Sequence, residues 1–310
     1  MPGERRWPYR SAGLRGLSFR FGVRCDDVRL GAQVDRLLAG LCEPDGVPVG
    51  HWYSLTSTAG GAGAFDVHRD DEVLAHDQRA GDALGWVVWD INRSAAAASG
   101  AHLLFHAGAL EADGAGLLLP GTSGSGKSTV TAGLVTRAGL GYLTDELAAM
   151  DLTGDRLLPY AKPITVKHGS FDVVPELHPD RRSGPGALPW AGEEWQVAVG
   201  GAGAERIGRP CPLRWVIVPR YVPGVPTALT PMSDTEAFLT LALHAVNLLP
   251  HGAAGSAALG RMVADASCYT LTMSDLDEAC GLVRGLLTTP GAAVSGATGA
   301  AQLDGAGHAT

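Results

Sequence analysis

No C-x-x-C pair occurs in this 310-residue chain, and its five cysteines, Cys25, Cys42, Cys211, Cys268 and Cys280, are scattered and odd in number. That spacing argues against a disulfide framework or a zinc site, and it fits a reducing, cytoplasmic setting better. No run of 18 apolar residues occurs, so no membrane-spanning helix and no membrane partner are expected. Arg5 and Arg6 are not followed by an apolar stretch, so no signal peptide is expected. Positive charge is also short. The net charge of −8 argues against a nucleic-acid partner held by a broad basic surface. Lysine is the scarcest charged type. Only Lys127, Lys162 and Lys167 occur among 24 basic residues, and the rest are arginine. With 43 glycines this has the look of a GC-rich genome, so arginine richness itself carries no functional reading.

What is present is enough for one large domain or two ordinary ones, with 45% hydrophobic residues to build a core. Residues 17–23 alternate like a strand, and 31–41 have helical apolar spacing. Residues 51–58 and 64–68 read as strands, and 81–98 as a helix. The first hundred residues therefore predict a small α+β unit without a chemical motif. From His102 the character changes. A strand over 102–110, a turn at Asp113-Gly114 and a buried strand over 116–119 lead into a glycine-rich loop and a helix to about Ala138. One strand is expected over 141–150, and others over 162–167 and 213–218. Helices are expected over 233–248, with Ser233 as N-cap and Glu236 at N3, and over 274–287, with Ser274 as N-cap. Residues 178–210 read as a long mobile loop over the site, and 288–310 as a disordered tail.

The glycine-rich loop carries the chemistry. Gly121, Thr122, Ser123, Gly124, Ser125, Gly126, Lys127 and Ser128 match G-x-x-x-x-G-K-[ST], and Thr129 follows. Glycines let successive backbone N–H groups turn inward around phosphate oxygens, and the next helix offers its positive N-terminus to the same anion. Lys127 is then placed for the β- and γ-phosphates and Ser128 for Mg²⁺, so ATP with Mg²⁺ is the expected ligand. A plain glycine-rich turn capping a helix is the bland alternative, and the scarcity of lysine makes a chance match rare.

Asp145 and Glu146 end the next predicted strand, 18 and 19 residues after Lys127. That strand should lie parallel to the P-loop strand and near it, with both acids within reach of a γ-phosphate. Neighbouring strand residues point to opposite faces, so a bend there, or a role for one acid only, is expected. The short spacing favours a kinase over an ATPase motor, with one carboxylate taking a hydroxyl proton and the other holding Mg²⁺. A hairpin centred on Asp113-Gly114 sets opposite residues to sum to about 227, which brings His106 beside Gly121. His106 is then either a participant at the phosphate edge or a half-buried sheet histidine, while His102 reads as structural. Lys162 and Lys167 read first as a solvated strand edge and second as phosphate contacts. Arg220 is either a source of transition-state charge or a plain surface residue.

Together the strand bearing His106-Ala107-Gly108, the loop Gly121 to Ser128, and Leu143-Thr144-Asp145-Glu146 resemble the HPr kinase/phosphorylase family, in its HPr-kinase-related branch. The resemblance covers 102–151 well and runs more loosely to about 287. It departs from the family pattern in Glu146, where a second Asp is usual, in His-Ala-Gly for His-Gly, and in the first hundred residues. The resemblance implies an α/β fold: a P-loop kinase core of the HPr-kinase/PEP-carboxykinase type over 101–287, beside an α+β unit over 1–100. It implies Asp145 as the base toward a serine hydroxyl, Glu146 and Ser128 as metal-binding residues, and His106 at an active-site histidine position. Related kinases of this branch phosphorylate a serine of a ribosomal precursor peptide in peptide natural-product pathways. A peptide or small protein is thus the implied partner, and the sequence leaves room for a homo-oligomer. Three readings stay open here: a peptide or protein kinase, a small-molecule kinase with the same site, and a non-catalytic nucleotide-binding regulator.

Overall fold

The computed structural model describes residues 6–58, 63–152, 156–178, 194–199 and 206–288. Most of the expected 178–210 loop and all of the tail beyond Thr288 lie outside the described residues. The fold is mixed α/β and is built on two larger sheets. No described helix is long and apolar enough to cross a membrane.

The first sheet holds β1 (Tyr9–Arg10), β2 (Leu14–Gly16), β3 (Phe19–Cys25), β4 (His51–Ser57), β5 (Ala64–Arg69) and β6 (Glu72–Arg79). Its order is β1-β3-β4-β5-β6, with β2 hairpinned onto β3. The expected strand over 17–23 is therefore a turn plus a shifted strand. Leu17 takes the left-handed conformation between β2 and β3. Helix α1 (Val28–Leu37) is capped by Asp27, whose carboxylate accepts from the N–H groups of Arg29 and Leu30. It makes the crossover that lets β3 and β4 pair in parallel. Helix α2 (Ala80–Ala98) lays Leu84, Val87, Val88, Ile91 and Ala95 on this sheet. The same core takes in Leu104, Leu147, Ala149 and Tyr160, so α2 also covers part of the second sheet.

The second sheet begins with the expected hairpin, β7 (His102–Ala112) and β8 (Ala115–Pro120). Its register runs from Ala112↔Ala115 to Ala107↔Pro120, each pair summing to 227 as expected. Asp113 and Gly114 both have positive φ, which a two-residue hairpin turn of this hand requires. Along β8 the apolar run splits by alternation. Leu117 and Leu119 enter one core and Leu118 the other, so the strand is buried on both faces. Next come α3 (Lys127–Thr136), β9 (Gly141–Thr144), β10 (Leu147–Asp151) and β11 (Arg156–Leu158). A two-stranded ribbon of β12 (Ile164–Lys167) and β13 (Glu194–Val197) leads on to β14 (Cys211–Tyr221), β15 (Ala228–Pro231), α4 (Asp234–His244), α5 (Leu248–Asp265), β16 (Ser267–Met273) and α6 (Leu276–Thr288). The order is β11-β10-β7-β8-β14-β16-β15, and β8, β14 and β16 run parallel. Helices α3 and α6 share one core, and α4 and α5 pack on the opposite face.

Several expectations are corrected. The strand over 141–150 is two strands broken at Asp145-Glu146: β9 pairs with 109–111 of β7 and β10 with 102–106. Both run parallel to β8, but β7 lies between. The last helix starts at Leu276, and Asp275 rather than Ser274 accepts from the Glu278 N–H. The Ser274 hydroxyl instead donates to the Val225 carbonyl. The Ser233–Glu236 capping box of α4 forms as expected, yet the helix stops at His244 and a second one, kinked at Gly252, comes after it.

Candidate active site

The parallel strands β8, β14 and β16 end together, and the loop from Gly121 to Gly126 sits on their carboxyl ends, where α/β sheets bind ligands. Gly124 and Gly126 have φ of 83° and 92°, a region side chains rarely adopt. A Cβ on Gly126 would also meet the Met273 Cε at 2.4 Å. The Tyr221 N–H donates to the Ser125 carbonyl at 3.1 Å, which ties the loop to the end of β14. Gly108 has a different task. A Cβ there would meet the Thr131 Oγ1 at 2.4 Å, so this glycine lets α3 close down on β7.

A cavity of about 740 Å³ opens over this loop. Its lining includes Thr122, Ser123, Gly124, Gly126, Lys127, Ser128 and Thr129 together with His106, Asp145 and Glu146. The residues predicted from the sequence for the site therefore border this one cavity, except Gly121 and Ser125 of the loop and the two weaker candidates Lys162 and Arg220. Arg220 is exposed and does not line it. Lys127 is only 7% exposed and makes no ion pair among the described residues. Burial lowers its pKa, against the pull of Asp145 and Glu146. Burial also lowers the pKa of His106, and the Lys127 charge adds to that. The imidazole is thus held toward its neutral form.

The two acids differ sharply. Asp145 is 1% exposed, and both of its oxygens are engaged. Oδ1 accepts from the Lys162 Nζ at 2.7 Å and the Tyr142 hydroxyl at 3.0 Å, and Oδ2 accepts from the Thr165 N–H at 3.0 Å. Glu146 is 41% exposed, and its Oε2 lies 3.4 Å from the same ammonium. The break between β9 and β10 separates the two acids, and of the two cavity-lining carboxylates one is buried among its partners and the other is open.

Lys162 corrects the sequence reading. It is fully buried rather than solvated. Burial opposes its charge, but Asp145 and Glu146 outweigh burial and its pKa is raised. Lys167 does lie exposed, 4.0 Å from Glu194 on the neighbouring ribbon strand. A signal for Lys162 was present in the composition. In a chain that uses arginine almost everywhere else, all three lysines converge here: two line the cavity and the third locks the acids. Other lining residues had no sequence signal, among them Asn92, Ser170 and Gln196. Ser170 shares a 2.7 Å hydroxyl hydrogen bond with Thr129, which ties the loop after β12 to α3.

The residues fit a nucleoside triphosphate with a divalent cation. The ammonium of Lys127 borders the cavity, is desolvated and pairs with no carboxylate among the described residues, so it lacks what a bound phosphate would provide. Asp145 and Glu146 border the same cavity as the loop and would supply negative charge to a cation bound with the phosphates.

No protein-family model and no curated protein matches the chain. Among solved structures, the HPr(Ser) kinase/phosphatase from Coxiella burnetii is similar at 12% identity and a TM-score of 0.27, over 59% of this chain and 93% of that one. A likeness that distant carries no argument about this chain's chemistry.

Proposed function

We propose that the chain is an ATP- and Mg²⁺-dependent kinase that transfers the γ-phosphoryl group to a hydroxyl, in the first instance a serine of a peptide or small protein. The observation that carries the reading is the sharing of one cavity by the P-loop lysine and serine, a near-neutral imidazole and two carboxylates. ATP with Mg²⁺ supplies the phosphoryl group and neutralises its charge. The chain's own residues do the rest. Loop N–H groups and Lys127 hold the phosphates, Ser128 and Glu146 are the metal-side ligands, and His106 borders the phosphate edge as a neutral hydrogen-bonding group. The acceptor oxygen bonds to phosphorus as the bond to the ADP oxygen breaks, and the hydroxyl proton passes to Asp145.

One observation favours a second assignment within the same reaction. Asp145 has both oxygens occupied and is nearly inaccessible, whereas Glu146 is exposed to the cavity. Exchanging the two roles would make Glu146 the base and Asp145 its anchored neighbour. Serine-centred peptides incubated with ATP and Mg²⁺, followed by mass spectrometry, test both versions. Lys127→Met should weaken ATP binding about tenfold to a hundredfold. Whichever of Asp145→Asn and Glu146→Gln abolishes transfer while ATP still binds identifies the base. Transfer at the wild-type rate by both acid variants would sink the kinase reading.

A further inference from the structure

The cavity is larger than the phosphate cradle needs, and its two ends belong to different cores. One end is walled by Ala132, Val174, Met273 and Leu276, which pack with α3 and α6. The other is walled by Gly85, Val88, Trp89 and Asn92 of α2, the last helix of the segment that carries no motif. Glu146 lies toward the α2 end. Glu146 directly precedes Leu147, and Leu147 packs in the same core as Val88 and Ile91. Lys127 acts electrostatically on His106 as well as on both acids, so the loop's charge also faces that end.

We propose that this face of α2 binds the phosphoryl acceptor, a peptide or protein segment that presents its hydroxyl to the acids. The inference rests on the kinase reading above. Three features of α2 support it. Asn92 lines the cavity, and its side-chain oxygen is buried without a hydrogen-bond partner among the described residues, so a small side-chain turn would offer it as an acceptor to a peptide N–H or a hydroxyl. Trp89 is 56% exposed although it lines the cavity, so this wall opens outward at its rim. Its ring is held edge-on to Trp86 at 5.5 Å and lies 5.7 Å from the Arg93 guanidinium. An open rim bearing two partly exposed tryptophans suits a chain that continues out of the cavity better than a metabolite enclosed by it. Gly85 completes the wall. A Cβ there would meet nothing within 4 Å, so the missing side chain leaves room on the cavity side.

That same openness gives a test that does not threaten the fold. Gly85→Leu adds a good helix former to an uncrowded helix position and fills space on the cavity face of α2. Gly260→Leu makes the same change at an exposed, equally open glycine of α5 and serves as the control. The probe is a serine-centred degenerate peptide library carrying a photoreactive diazirine residue beside the serine. Transfer from ATP, cross-link position and binding of a fluorescent ATP analogue are measured on the full chain. The expected result has cross-links on residues 85–92 of α2. Capture and transfer fall at least tenfold in Gly85→Leu and stay at the wild-type level in Gly260→Leu. Binding of the ATP analogue stays within twofold in both. Peptide captured at α2 and lost in Gly85→Leu, with no transfer by any form, would leave the docking surface standing and remove the kinase reading. Cross-links elsewhere, full capture by Gly85→Leu, no capture at all, or transfer confined to small hydroxyl compounds would each overturn the proposal.

Discussion

Lys162→Met is the most informative single perturbation of this structure. The ammonium lies 2.7 Å from Asp145 and 3.4 Å from Glu146, and both Lys162 and Asp145 are 1% exposed. Removing one member of a buried ion pair leaves the other charged and uncompensated, which costs about 3–5 kcal/mol. Asp145 keeps hydrogen bonds from Tyr142 and Thr165, so the lower part of that range is expected. Against a total of roughly 5–15 kcal/mol for a folded domain, the loss is large. Asp145→Asn should cost less, about 1–3 kcal/mol, because the amide oxygen still accepts one hydrogen bond and Lys162 keeps Glu146. The double variant should be more stable than the sum of the two single losses predicts, since the second substitution removes the charge the first exposed. Urea unfolding of the four proteins at pH 7.5 measures all three quantities. The pair also sets a pH window. The raised pKa of Lys162 means its stabilisation is fully present below about pH 10.4 and is lost as pH rises through the higher folded value. A Lys162→Met protein within 1 kcal/mol of wild type, with additive losses in the double variant, would refute the claim that this ion pair organises the acids. The experiment also governs how Asp145→Asn is read in transfer assays. Lost transfer reports on chemistry only in a preparation shown to be folded.

Three further outcomes rest on the same geometry. Lys127→Met removes a desolvated cation that has no ion-pair partner among the described residues, so without nucleotide it should be as stable as wild type or about 1 kcal/mol more stable; ATP affinity, measured by calorimetry, should fall about tenfold to a hundredfold with the charge-assisted contacts. Gly126→Ala forces a side chain to φ 92° and onto Met273, so about 1–2 kcal/mol of stability and most nucleotide binding should go, and ATP affinity equal to wild type would contradict the conformation of the loop. His106 has a lowered pKa, so below its ordinary value of about 6.5 the unfolded chain binds more protons and stability falls with pH; His106→Asn should flatten that slope between pH 6.5 and 5, read by urea unfolding at several pH values.

The parts of this molecule that were legible in its sequence are those set by local rules. The β7–β8 hairpin comes from Asp113-Gly114, since a two-residue turn fixes every pairing along both strands. The capping box of α4 is local in the same way. The glycine-rich loop is legible because a phosphate cradle would need glycine at fixed places, and two of those glycines do take positive φ. What was hidden depends on which segments meet. Lys162 sits 35 positions beyond Lys127, and nothing beside it in sequence says that it is buried; only the return of the chain past Tyr160, whose N–H donates to the Leu143 carbonyl, brings it beneath the acids. The break at Asp145-Glu146 was anticipated as a bend. Its consequence, one acid locked and one acid open, depends on that same return. The α2 wall was hidden for another reason. Its apolar face reads as core, and most of it is core; that Trp89 and Asn92 border the cavity depends on where α2 meets the second sheet, which its own sequence does not state. Lys162 stands, in a chain that uses arginine at most basic positions, where a guanidinium will not serve. A buried pocket for one compact ammonium between two carboxylates is such a place.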